Sequence, residues 1–157
     1  MGKCNELEKL LHGVTDALIE FEKSCAKTYL KMYRVVLTPE LAKAIHPEQT
    51  EINNHVKRLG LVKKLLGEKP NQSADILSIN PIKLKKEKSL IQDIYISCHI
   101  LQLQENKLSQ YQFLAKLVDT LKIETAGQII EQCIAENTAT STWVKRTLAT
   151  ELSNFTD

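Results

Sequence analysis

The sequence is poor in aromatic residues, glycine and proline. Only 5% of its 157 residues are aromatic, and it contains five glycines and four prolines. Sheet-rich domains favour β-branched and aromatic residues in short runs separated by turn residues, whereas Leu, Ile, Lys and Glu dominate here with a helical period. The composition therefore predicts an all-α protein with a single domain over residues 1–157.

The chain also lacks the marks of a membrane protein or a nucleic-acid-binding protein. No apolar run reaches the roughly 18–20 residues of a membrane span, and residues 1–6 lead into a charged amphipathic helix rather than a signal peptide. The formal net charge is only +2, with Lys and Glu interspersed. We therefore expect a cytoplasmic protein that binds neither membranes nor nucleic acid.

The four cysteines are scattered, and no Cys-x-x-Cys pair is present. Cys25, Cys98 and Cys133 fall at apolar positions of three different predicted helices, which favours reduced, buried thiols over disulfides or a zinc site. No nucleophile–base pair or glycine-rich phosphate loop is visible. The sequence thus gives no catalytic residue, and an enzyme is not expected.

Four long segments carry apolar residues at alternating steps of three and four, the period of an amphipathic helix. These helices span about residues 4–36, 39–67, 88–122 and 124–152. The second begins with Thr38-Pro39-Glu40, where Thr can cap free N–H groups and Pro suits the first helical position. Pro47 lies inside that helix and should kink it or start a new one.

The connection over residues 68–87 is rich in Pro, Asn and Ser and lacks periodicity. Such a segment can extend to roughly 60 Å, whereas a helix of about 28 residues is roughly 42 Å long. It can therefore cross the whole bundle and start the third helix parallel to the second. Two antiparallel helix hairpins joined by a long crossover are the topology of a ferritin-like four-helix bundle.

Each predicted helix carries an acidic residue near its midpoint, on or beside the stripe that should be buried, and the second carries Glu48 as well. Buried carboxylates are costly unless they are paired, protonated or bound to a cation. Carboxylates and imidazole from facing helices are the ligands of di-iron and di-manganese bundles, so iron, manganese or zinc is the candidate cofactor. The predicted metal ligands are Glu22, Glu51, His55, Glu105 and Glu136.

This ligand set is incomplete for a two-metal centre. Two-metal bundles carry Glu-x-x-His on two helices, whereas Glu51 and His55 are four residues apart and no histidine follows Glu136. The alternative is a metal-free structural or partner-binding bundle, in which the inner acids pair with Lys or His; Lys107 lies near the predicted layer. Efficient ferroxidase activity is expected under neither interpretation.

Several segments carry a resemblance to a known family: Phe21-Glu22-Lys23, Lys31-Met32, Thr38-Pro39-Glu40-Leu41, Val56-Lys57-Arg58-Leu59, Leu66-Gly67-Glu68-Lys69-Pro70 and, further on, Asp93, Tyr111 and Glu136. They resemble the YciE/YciF family of ferritin-like, stress-associated bacterial proteins. The resemblance implies a ferritin-like bundle, a role in stress and a homodimer.

The chain departs from that family in the third helix. Family members usually show Glu-His-Tyr-Glu there, and this chain has Gln104-Glu105-Asn106-Lys107 at the matching positions. The resemblance therefore supports metal ligands only at Glu22, Glu51, His55 and Glu136.

Overall fold

A computed structural model describes residues 2–67 and 78–156, and this part of the chain contains helices and no strand. The helices are α1 (Gly2–Tyr33), α2 (Pro39–Ile45), α3 (Pro47–Thr50), α4 (Ile52–Leu66), α5 (Leu90–Thr120) and α6 (Glu124–Ser153). None of them is both long and apolar enough to cross a membrane.

The four long helices form a bundle in which α1 packs against α4 and α5, and α6 packs against the same two helices. One core cluster joins the first half of α1 to the ends of α4 and α5, through residues such as Leu11, Leu59 and Leu117. The other joins the end of α1 to α2 and the start of α5, through residues such as Met32 and Ile96. Helices α4 and α5 therefore run parallel, as predicted for a ferritin-like bundle with a long crossover.

The predicted crossover, 68–87, lies partly outside the described residues. From residue 78 onward the chain runs toward α5, and Ile79, Ile82 and Leu84 pack against the core cluster at that end of the bundle. Burying apolar surface in this way stabilises the fold by roughly 25 cal/mol for each Å² that is removed from water. These three partly buried side chains thus cover that end of the core.

The start of α2 is fixed from outside rather than by its own cap. Pro39 occupies the first turn as predicted, but the Thr38 side chain makes no capping hydrogen bond. Instead, the backbone N–H groups of Leu37 and Thr38 donate to the two carboxylate oxygens of Asp93 on α5, each at 2.9 Å. A buried carboxylate of α5 thereby anchors the corner between α1 and α2.

The predicted second helix is not continuous, because it breaks into α2, α3 and α4. The first break is at Pro47, where His46 caps α3 by accepting a hydrogen bond from the Glu48 N–H at 3.2 Å. The second is at Glu51, which takes a left-handed backbone conformation with φ of 62°. This conformation costs a residue with a Cβ roughly 1–2 kcal/mol. At Glu51 it changes the direction of the chain between α3 and α4.

The inward face of α5 differs from the predicted one. Ile91 and Tyr95 are 56% and 67% exposed, while the polar side chains of Ser97, Gln104 and Lys107 are buried. Helix α5 carries apolar residues on both of its faces, so periodicity alone predicted the wrong inward face for its first half. The prediction that Cys98 is buried is consequently wrong.

Two of the three predicted core thiols are in place. Cys25 and Cys133 are buried and free, whereas Cys98 is free but exposed on the outer side of α5. Burial raises the pKa of Cys25 to about 11 and that of Cys133 to about 12. Both thiols therefore stay protonated near neutral pH and are poor nucleophiles.

Candidate functional site

A cluster of charged and polar side chains fills the middle of the bundle, between the two apolar core clusters. All four long helices contribute to it, and α4 and α5 each supply two residues spaced three or four apart, so that both side chains share one helix face. We call it the central cluster; its members are Glu22, His55, Arg58, Lys107, Tyr111 and Glu136.

Glu22 is the centre of this cluster, and its side chain has no exposed surface. The ammonium nitrogen of Lys107, also fully buried, lies 2.5 Å from Glu22 Oε1. His55 Nδ1 lies 3.0 Å from Glu22 Oε2. The Tyr111 hydroxyl donates a hydrogen bond of 2.9 Å to the same oxygen. Both carboxylate oxygens are therefore engaged by side chains of α4 and α5.

These contacts determine the ionisation of Glu22. Burial alone raises the pKa of a carboxyl, because the charged form loses its hydration. Here the positive charge of Lys107 and the contacts with His55 outweigh burial and lower the Glu22 pKa from 4.5 to about 2. Glu22 is therefore a permanent buried anion at physiological pH.

His55 links this buried anion to a second carboxylate nearer the surface. Its Nε2 lies 3.3 Å from Glu136 Oε1, and the Glu136 side chain is 23% exposed. Arg58 pairs with both oxygens of Glu136, at 2.9 Å to Oε2. Both ring nitrogens of His55 thus face carboxylates, and a neutral ring can donate to only one of them.

A hydrogen-bonded chain extends the polar layer beside the central cluster. The Tyr29 hydroxyl donates to Gln104 Oε1 at 2.6 Å, and Gln104 Nε2 donates to the Asn137 carbonyl at 3.1 Å. Lys107 Nζ also lies 5.2 Å from the centre of the Tyr29 ring, a cation–π contact. Helices α1, α5 and α6 are therefore joined by polar contacts as well as by apolar packing.

The charges of the central cluster balance without any added ion. Glu22 and Glu136 supply two negative charges, and Lys107 and Arg58 supply two positive charges. With a neutral His55 the cluster is neutral, and with a protonated His55 it is positive. No negative charge remains to attract a cation.

The structure brings three of the five predicted metal ligands together and separates the other two. Glu22, His55 and Glu136 lie in the central cluster. Glu51 sits at the break between α3 and α4 and accepts a hydrogen bond from Asn54 at 2.7 Å, on the exposed side of the helix. Glu105 points to solvent, as does Glu48. The prediction that all five surround a common point is wrong for Glu51 and Glu105.

The three side chains that remain do not fit a metal ion. The Lys107 ammonium occupies the space against Glu22 that a cation would need, and the Arg58 guanidinium covers Glu136. Within residues 2–67 and 78–156, no three His, Cys, Asp or Glu side chains are arranged to hold a metal. A ferritin-like metal centre would need both basic side chains to move out.

The sequence contained some signals for the residues that the predicted site left out. Lys107 stands at the position that matches the last Glu of the family's Glu-His-Tyr-Glu segment, and the sequence already placed it near the predicted acidic layer. Arg58 and Tyr111 stood in the segments that carry the resemblance. Their contacts with the carboxylates had no signal in the sequence, because they depend on the register between helices.

A second buried acid lies at the end of the bundle, away from the central cluster. Glu151 on α6 is 1% exposed, and among the described residues neither of its carboxylate oxygens has a hydrogen-bond partner. Burial, together with the negative charge of Asp93, raises the Glu151 pKa from 4.5 to about 7. Glu151 therefore exchanges a proton near neutral pH, at the corner where Asp93 anchors α2.

Comparisons with known proteins agree with this architecture. The structure of the E. coli stress protein YciF superposes with a TM-score of 0.77, covering 94% of this chain and 97% of YciF at 16% sequence identity. This likeness confirms the predicted ferritin-like fold. Together with a family match over residues 6–156, it supports the resemblance to the YciE/YciF family. A comparison with curated proteins finds no match. A family model described as a domain of unknown function, DUF892, matches residues 6–156, and the chain belongs to that family.

Proposed function

We propose that this chain is a stress-associated structural bundle whose central cluster works without a metal ion and does not catalyse iron oxidation. One observation carries the proposal: the ammonium of Lys107 lies 2.5 Å from Glu22, with both side chains fully buried. A metal at this place would have to displace an ion pair that already neutralises the carboxylate. The metal-free alternative drawn from the sequence is therefore the one that the contacts favour.

The association with stress is supported by likeness alone. The similar solved structure is that of an E. coli stress protein, and the chain shares the fold of that protein. The cytoplasmic location expected from the sequence and the homodimer implied by the resemblance stay predictions. The oligomeric state can be measured by light scattering during size-exclusion chromatography, because a dimer has twice the 17.8 kDa mass of one chain.

The central cluster suits a structural role because its contacts depend on helix register. Lys107 reaches Glu22 only when α1 and α5 are aligned, and His55 reaches Glu136 only when α4 and α6 are aligned. Buried ion pairs often add little net stability but can select one arrangement over others. We therefore propose that the cluster aligns the four helices. Their apolar faces alone do not specify one alignment, and this is clearest for α5.

Binding of one divalent metal at the same cluster is the competing function. Glu22, His55 and Glu136 are chemically suitable ligands for iron, manganese or zinc. Binding would require Lys107 and Arg58 to leave their carboxylates, and Lys107 would then be an unpaired buried cation unless it lost its proton. That cost favours the metal-free state.

Thermal melts with added metals test the proposal. The purified protein is first treated with a chelator and then titrated with Fe²⁺, Mn²⁺ or Zn²⁺. We expect an unchanged melting temperature, because an ion that does not bind the folded state cannot stabilise it. A melting temperature that rises steadily with metal concentration, and no longer does so in Glu22→Gln, would contradict the proposal.

A further inference from the structure

We infer that a pocket at one end of the bundle binds a small organic cation, and that the carboxylate of Glu151 is the anion that holds the ammonium group of this ligand. The pocket has a volume of about 480 Å³ and lies between the start of α2 and the second half of α6. Pockets of roughly 300–1,000 Å³ accommodate small-molecule ligands. None of the described residues that line it belongs to the central cluster, so the inference does not depend on the metal-free function proposed above.

Glu151 is a buried acid in the wall of this pocket, and it lacks a counter-ion. It is 1% exposed, and no hydrogen-bond partner of either carboxylate oxygen is found in the described part of the chain. A buried carboxylate without a partner is costly in its charged form. A cation bound in the pocket would supply that partner, and the low dielectric of the surroundings would strengthen their attraction.

Asp93 adds a second acidic group beside Glu151. Both carboxylate oxygens of Asp93 accept backbone N–H groups, from Leu37 and from Thr38, and these hydrogen bonds hold the carboxylate in place. Burial first, and the negative charge of Asp93 second, raise the pKa of Glu151 to about 7, while Thr38 acts in the opposite direction. The two acids therefore repel each other when Glu151 is ionised, and a positive charge in the pocket would relieve that repulsion.

Two threonines of α6 offer hydrogen-bond acceptors to such a ligand. The hydroxyl of Thr147 donates its proton to the carbonyl of Val144 at 2.9 Å, and the hydroxyl of Thr150 donates to the carbonyl of Arg146 at 3.2 Å. Both threonines line the pocket. A hydroxyl that has already donated its proton can only accept, and an ammonium group can only donate. These oxygens therefore match an ammonium group, as does the Glu151 carboxylate.

Trp143 gives the pocket an aromatic surface for the organic part of the ligand. This half-buried side chain lines the pocket and packs against the neighbouring core cluster. The face of an indole ring attracts an ammonium group. A metal ion needs several charged or imidazole ligands, and within residues 2–67 and 78–156 no three His, Cys, Asp or Glu side chains are placed to hold one. The lining thus favours an organic cation over a metal ion.

The other charged groups at this end of the bundle lie at the rim of the pocket. Glu40 is exposed, and one of its oxygens lies 3.7 Å from the ammonium nitrogen of Lys43. Arg146 also lines the pocket, but it is exposed and does not donate to the carboxylate of Glu151. Glu151 is therefore the carboxylate that remains available to a cation inside the pocket.

Titration with butylammonium chloride tests the inference in the wild-type protein. Trp143 is the reporter, because it is the only tryptophan of the chain and lines the pocket. Butanol and sodium butyrate have the same chain length without the positive charge, and all titrations are made at equal ionic strength. We expect butylammonium to change the fluorescence of Trp143 saturably, with one ligand per chain, and the other two to bind roughly tenfold more weakly or worse. No saturable change with butylammonium, or equal binding of butanol, would overturn the inference.

Two matched variants identify the carboxylate that holds the ligand. Glu151→Gln keeps the size of the side chain and removes its charge, so butylammonium should bind roughly tenfold more weakly or worse. Glu131→Gln removes the same charge from an exposed position of the same helix and should bind as the wild type does. A folded Glu151→Gln protein with the affinity of the wild type would show that Glu151 does not hold the ammonium group, against the inference.

The pH dependence of binding decides the question if Glu151→Gln does not fold. An ammonium group binds the ionised form of Glu151, whose pKa in the free protein is about 7. The affinity of the wild type should therefore rise with pH, by roughly tenfold for each pH unit well below 7, and level off above it. Glu40→Gln, which removes the carboxylate at the rim, should keep this profile. An affinity that does not change between pH 5 and 8 would overturn the inference.

Discussion

Lys107 and Glu22 form an ion pair of 2.5 Å in the middle of the bundle, and neither side chain reaches solvent. Few lysines are fully buried, because an ammonium loses its hydration there unless an anion replaces it. Each of the two charged groups is therefore stabilised in the core by the opposite charge of the other. Around this pair the remaining contacts of the central cluster join all four long helices.

Removing the cation of this pair should destabilise the fold strongly. In Lys107→Met the apolar stem is retained, but Glu22 is left as a buried anion whose compensation comes only from His55 and Tyr111. Loss of one partner of a buried ion pair typically costs about 3–5 kcal/mol. Urea denaturation measures the cost, and the exposed Lys116→Met should change the free energy of unfolding by less than about 0.5 kcal/mol. Similar values for the two variants would contradict the account.

The Tyr111 hydroxyl should contribute through its hydrogen bond to Glu22. Tyr111→Phe removes one oxygen from a fully buried site and leaves the carboxylate with one donor fewer. Hydrogen bonds to charged groups contribute about 1.5–3 kcal/mol, so we expect a loss of that size in chemical denaturation. Tyr95→Phe is the matched control, because Tyr95 is on the same helix and 67% exposed. It should have almost no effect.

Stability should fall in acid because of Glu22. Its pKa is about 2 in the folded state, against 4.5 for an ordinary glutamate. A carboxyl with a lowered pKa contributes stability that is fully present above pH 4.5 and is lost as pH falls toward 2. The shift corresponds to roughly 3 kcal/mol. Unfolding free energies between pH 2 and 6 should therefore slope less steeply in Glu22→Gln than in the wild type or in Glu20→Gln, whose replaced side chain is exposed.

Glu151 should give a pH dependence of opposite sign. Its pKa is raised to about 7, first by burial and then by Asp93. The unfolded chain loses this proton near pH 4.5, so the stability that the neutral carboxyl provides is complete below that pH and lost as pH rises through 7. Melting temperatures between pH 5 and 8 should decline in the wild type and decline less in Glu151→Gln. An equal decline in both, with exposed Glu131→Gln as reference, would rule out this role.

Local signals predicted much of the fold. The restart at Pro39, the break near Pro47 and the long connection before α5 all follow from residues whose backbone preferences are strong. The left-handed residue Glu51 was not visible, because non-glycine residues adopt that conformation only where the surrounding structure requires it. The capping of α2 by Asp93 was hidden for a similar reason, since the two segments are more than fifty residues apart.

The central cluster was predictable only in outline. Acidic residues near the helix midpoints located its level, and Glu22, His55 and Glu136 are indeed together. Which acids face inward depends on the rotation of each helix, and on α5 the apolar residues of both faces concealed it. The sequence therefore predicted that Glu105 faces inward as a metal ligand. In the structure Lys107 faces inward instead and contributes a positive charge.

The metal content of the protein tests the central claim most directly. The untagged chain is purified from cells grown with added iron, manganese and zinc, and each metal is measured against protein concentration by elemental analysis. The account predicts far less than one metal ion per chain, the same as in Glu22→Gln purified in parallel. One or two metal ions per wild-type chain, absent from Glu22→Gln, would contradict it.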